Sequence, residues 1–134
     1  MDLALVNLSI QAIILAIILL STAFRMKGNF KLHAGVMTFG VAFGLVFGTI
    51  GAAMTFSESG YLNSIMSPTL SLATFVSHIS VGLVTFASGV ILVALLLMDK
   101  AIPGRSNLIS KIVPVLWAVT FAVGFLFYLV LHVL

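Results

Sequence analysis

The chain has 134 residues, 62% of them hydrophobic and only 7% charged, with a mean hydropathy of +1.33. A soluble domain carries roughly 25% charged residues, so too little polar surface exists here to cover a water-exposed globule, and the expected solvent is lipid. Cysteine is absent, which removes disulfides, thiolate metal sites and thiol nucleophiles, and the net charge of +3 does not imply nucleic acid because no solvated basic face exists to hold a duplex.

The first apolar run covers about residues 3–24. It follows Met1-Asp2 and precedes Arg25, Met26 and Lys27, the reverse of a signal peptide's charge order, so it reads as a retained helix. The second run covers about 31–56, and the polar stretch 57–69, with Gly60 and Pro68, reads as a loop. The third covers about 70–98. A short connection with the turn signal Pro103-Gly104 then leads to the fourth, about 111–134. Each run has at least the ~20 residues needed to cross ~30 Å of hydrocarbon. The third exceeds that need, which predicts tilt or projection from the bilayer. Short linkers make consecutive helices antiparallel neighbours. The expected architecture is therefore an all-α, polytopic membrane protein, one domain of four transmembrane helices in an up-down bundle.

Charge sets the expected orientation. Arg25, Lys27 and Lys31 lie between the first two runs, and Lys100, Arg105 and Lys111 between the last two. The acids Asp2 and Glu58 lie in the other inter-helix regions, which hold no Lys or Arg. The basic loops are expected in the cytoplasm and both termini outside a cytoplasmic-type membrane, N-out and C-out.

Helical periodicity predicts the inward faces. In the second helix His33, Met37, Gly40, Gly44 and Gly51 share a stripe, with Gly48 at its edge. In the third, Ser71, His78, Gly82, Thr85 and Gly89 align. In the fourth, Pro114, Phe121, Phe125, Tyr128 and His132 do so, with Trp117 beside them. Glycines four apart let backbones approach, which is ordinary membrane-helix packing; the gap they leave also suits a flat ligand such as a porphyrin.

The three histidines are the candidate site residues. Ionisable groups inside a membrane usually face a cavity, a partner or a cofactor. Counting from the cytoplasmic ends, Met98 and Lys111, places His78 and His132 each roughly 30 Å deep, at similar height on neighbouring helices, where both could bind one haem b iron. His33 stands about 25 Å away along the membrane normal and could serve only a second site, with Met37 one turn deeper. Each histidine has a plainer reading too: His78 as a hydrogen-bond partner of a nearby hydroxyl, His33 and His132 as interfacial residues. Tyr128 and Trp117 near the membrane boundaries read as belt residues. No span holds a carboxylate, no phosphate loop is present, and Asp2 and Asp99 lie at opposite faces, so no Ser/His/Asp set assembles. An enzyme is not expected.

Three stretches carry a resemblance: Lys31-Leu32-His33-Ala34-Gly35-Val36-Met37; Ser77-His78-Ile79-Ser80-Val81-Gly82-Leu83 with Gly89 and Asp99-Lys100; and Lys111-Ile112-Val113-Pro114-Val115-Leu116-Trp117 with Thr120, Gly124 and Tyr128. In order and spacing, from Arg25 to the end, they resemble the small four-helix membrane family known as domain of unknown function 420. Bacterial members of that family are implicated in maturation of haem-copper terminal oxidases. The resemblance implies an accessory or maturation role, with His33 and His78 as the family's paired histidines. It departs at Ser106-Asn107, where family members carry another histidine, and at His132, which has no counterpart. A slighter likeness to cytochrome b561-type helices also points to haem. Two alternatives stand beside this expectation: a non-catalytic subunit of a larger membrane metalloenzyme, and a self-contained b-type haem electron carrier. Lipid and membrane-protein subunits are the expected partners.

Overall fold

The computed structural model describes residues 3–65, 67–98 and 107–132, and these form four α-helices: α1 Leu3–Met26, α2 Phe30–Ile65, α3 Pro68–Met98 and α4 Asn107–His132. All four are long and apolar enough to cross a membrane. Among the described residues there is no strand. The protein is an all-α, multi-pass membrane bundle.

The hairpin between α1 and α2 is built by three residues. Gly28 adopts φ +78°, a conformation glycine takes without steric cost. Its N–H donates to Arg25 O at 3.0 Å, and Asn29 N–H donates to Phe24 O at 2.9 Å, the paired bonds of a Schellman cap. Asn29 then caps α2, its Oδ1 accepting from Leu32 N–H at 3.2 Å. Lys27-Gly28-Asn29 thus closes one helix and opens the next.

The expected loop at 57–69 is largely helix. α2 continues to Ile65, about 16 Å past Met54, where its membrane-length segment ends. No proline interrupts residues 55–65, Gly60 costs only about 1 kcal/mol in a helix, and Ser57 Oγ donates back to Met54 O at 2.7 Å. The break comes at Ser67, which accepts from Leu70 N–H at 3.3 Å and precedes Pro68 in the first helical position. α4 also begins earlier than expected, at Asn107. The Pro103-Gly104 turn lies outside the described residues.

The helices stand as a square. α1 packs on α2 and α4, and α3 packs on α2 and α4, so α1 faces α3 across a diagonal. The core fills one half of the square's length, from Ile14 and Ile18 of α1 through Met37 and Val41, Leu92 and Leu96, to Val113 and Trp117. Glycines set the approach distances. A Cβ on Gly40 would lie 3.1 Å from Ile17 Cγ2. The indole of Trp117 is held between two of them: a Cβ on Gly44 would lie 2.6 Å from Cζ2, and one on Gly89 2.9 Å from Cζ3.

The predicted faces hold for α2, where His33, Met37, Gly40 and Gly44 are buried, and for α3 at Thr85 and Gly89. The α4 face is turned. Pro114 and Trp117 are buried with Ser110, Val113 and Phe127, whereas Phe125 is 42% exposed and Phe121 only partly buried. Lipid is as apolar as the core, so an aromatic ring is equally stable facing either.

Candidate functional site

The two ends of the bundle differ in what their polar side chains do. Toward the α1–α2 hairpin, His33 is 1% exposed and ties three helices together. Its Nδ1–H donates to Ser21 O at 3.0 Å, with Ser21 Oγ 2.9 Å from the same nitrogen, while Ser21 Oγ donates to His33 O at 2.9 Å. With Nδ1 protonated, Nε2 is an acceptor and takes the Ser110 hydroxyl of α4 at 3.4 Å. In this tautomer the neutral imidazole has a hydrogen-bond partner at each nitrogen.

A second polar clasp sits at mid-height between α3 and α4. Thr120 Oγ1 donates to Leu116 O at 2.8 Å and bonds with Thr85 Oγ1. Above it the helices leave a cavity of about 380 Å³, within the ~300–1,000 Å³ of small-molecule sites. Phe86 and Trp117, 5.8 Å apart and inclined at 51°, mark its inner end. Gly48 of α2 gives Phe86 its place, since a Cβ there would collide with the ring. Gly82 lines the wall, and a Cβ on it would meet nothing within 4 Å.

His78 lies in this wall. Its ring stacks on Phe127 at 5.2 Å and 11°, and a Cβ on Gly124 would stand 3.4 Å from its Cε1. Its Nδ1 is buried with no hydrogen-bond partner, in contrast to His33. Such a group costs about 1–3 kcal/mol unless something satisfies it. Across the diagonal, α1 brings two carboxamides one turn apart, Asn7 and Gln11, to the same cavity. Asn7 is accommodated by Gly51, whose added Cβ would lie 2.9 Å from Nδ2. These two residues were not among the sequence candidates. Their signal is available: two polar side chains at i and i+4 inside an otherwise apolar span mark an inward face.

The histidines therefore occupy different places. Ser110 and Phe127, the α4 neighbours of His33 and His78, are roughly 25 Å apart along that helix, which agrees with the separation expected for the two imidazoles. His132 ends α4, five residues beyond Phe127, the α4 residue whose ring stacks on His78. The His132 side chain is outside the described residues.

These positions test haem as a ligand. A two-histidine haem needs imidazoles on opposite sides of one iron. Among the described residues His78 is the single imidazole on the cavity, no group of three His, Asp or Glu forms a metal site, and no Lys or Arg is present to meet the propionates. Among the described residues no second imidazole faces His78 across the cavity. No protein-family model, curated protein or solved structure matches this chain.

Proposed function

We propose that this protein is a small integral membrane accessory protein that holds an apolar, ring-bearing molecule in the cavity beside His78 and serves a larger respiratory membrane complex. One observation carries the reading: an aromatic cavity whose wall contains an imidazole with an unsatisfied buried nitrogen, in a bundle that satisfies its other histidine fully. By sequence all six cations fall at the junction of α1 and α2 or between the end of α3 and the first turns of α4, which favours a cytoplasmic position for the hairpin end, with the cavity toward the opposite face. The likeness to the oxidase-maturation family supports a haem-copper oxidase as the complex served. No catalytic step is assigned to the chain.

The test is retention of a small molecule by the protein purified from its native membrane in mild detergent, with optical spectra before and after dithionite. Stoichiometric retention that falls in His78→Ala supports the reading. A Soret band and reduced α-band lost in His78→Ala would make the ligand a haem. A purely structural subunit is the second reading, favoured by the run of α2 beyond its membrane segment, which gives a partner a helical surface outside the bilayer. It predicts co-purifying subunits, no retained molecule, and no effect of His78→Ala on the complex.

A further inference from the structure

The charge and placement of the polar groups around the cavity narrow its occupant. Among the described lining residues there is no Lys, Arg, Asp or Glu. By sequence all six cations belong to the opposite end, and the charged residues assigned to the cavity end are the acids Asp2 and Glu58. A carboxylate, phosphate or propionate entering here would leave water without a cation to meet it, at a cost of several kcal/mol per ion. An anionic ligand is therefore disfavoured.

The neutral polar groups sit on opposite walls. Asn7 and Gln11 come from α1, and His78 comes from α3, its diagonal neighbour. Carboxamide N–H groups donate, and so does the protonated nitrogen of a neutral imidazole. Thr120 of α4 also lines the cavity, with its hydroxyl already committed to Leu116 O. Phe86 and Trp117 line the cavity at its inner end, and Phe127 lines it beside His78. Donors on two facing walls of a cavity lined by aromatic side chains complement a ring that carries acceptors at opposite edges.

We infer that the cavity binds a neutral ring with two opposed carbonyl groups, a molecule of the quinone class, one carbonyl directed to the α1 carboxamides and the other to His78. This rests on the reading above that the cavity holds a ligand. Only binding is assigned, with no electron transfer.

The experiment uses the full chain in mild detergent, with its one tryptophan, Trp117, as the reporter at the cavity's inner end. Three probes are titrated: a short-tailed 1,4-benzoquinone, the corresponding 1,4-dialkylbenzene without carbonyls, and haem. Displacement of a dansylated short-chain quinone provides a second readout independent of collisional quenching. Saturable benzoquinone binding is expected, about tenfold weaker for the carbonyl-free ring and in His78→Ala and Asn7→Leu, as the loss of one hydrogen bond implies. Gly82→Leu, which places its side chain in open space, is expected to abolish it; Gly82→Val serves if the leucine variant does not fold. Equal binding of the two rings, undiminished in His78→Ala but lost in Gly82→Leu, would overturn the quinone assignment and leave the cavity reading standing. Preference for haem would overturn it also. Binding unaffected by either Gly82 variant would overturn both.

Discussion

The contact on which the bundle's packing turns is the indole of Trp117 between Gly44 and Gly89. Consider Gly44→Val. Carbon atoms pack best at about 3.5–4.0 Å, and even the first added carbon would lie 2.6 Å from Cζ2 and 3.4 Å from Ile14 Cγ2. The indole would have to move by about 1 Å, but on its far side Gly89 already admits it only because that residue also lacks a Cβ. Overpacking of this kind costs about 1–3 kcal/mol, and a blocked retreat places Gly44→Val near the upper end. Replacing Gly with Val returns only a few tenths of a kcal/mol through helix propensity. Trp117→Leu by itself opens space and also destabilises, by about 2–4 kcal/mol. Combined, the two changes compensate, because the valine occupies volume the indole has left. The double variant is expected to cost at least about 1 kcal/mol less than the sum of the singles. Unfolding by sodium dodecyl sulfate from mild detergent micelles, followed by circular dichroism, measures all four corners of the cycle. Gly35→Val is the control, since a Cβ there meets nothing within 4 Å. Strict additivity, or a Gly44→Val protein as stable as the parent, would refute the packing argument.

Three further outcomes are expected. His33→Ala removes a clasp joining α1, α2 and α4 and leaves Ser110 without its partner, so stability should fall by about 1–2 kcal/mol; ligand retention at His78, roughly 25 Å away, should not change, and a co-loss seen in native mass spectra would contradict their separation. Gly28→Ala forces a side chain into φ +78° and should cost about 1–2 kcal/mol in the same unfolding assay, whereas no loss would mean that the hairpin does not depend on that conformation. The chain lacks cysteine, so single cysteines report topology: an impermeant maleimide applied to intact cells should label Ser57→Cys and spare Lys27→Cys, and the opposite pattern would invert the orientation.

The spans were legible because length, apolarity and charge placement act before any packing is decided. The α2 face was legible because His33, Met37, Gly40 and Gly44 differ from their neighbours in polarity or size. The α4 face was not. Val, Leu and Phe are as comfortable against lipid as in the core, and only the fit of Trp117 between two glycines, a property of α2 and α3, decides how α4 is turned. Extension of α2 to Ile65 was hidden by composition: serine, glycine and acid suggest a loop, yet a helix satisfies its own amides where nothing breaks it. Asn7 and Gln11 carried the same signal as the histidines, polar atoms inside an apolar span, with their partner wall supplied by distant sequence.

The central claim is that the cavity at His78 holds a ligand, and native mass spectrometry of the parent beside Gly82→Leu tests it most directly. Gly82 lines the cavity and has room for a side chain, so filling it alters the site and spares the fold. A stoichiometric apolar molecule is expected on the parent and absent from Gly82→Leu, with the same helical circular-dichroism spectrum for the two proteins. The same bound mass on both, or none on either, would contradict it.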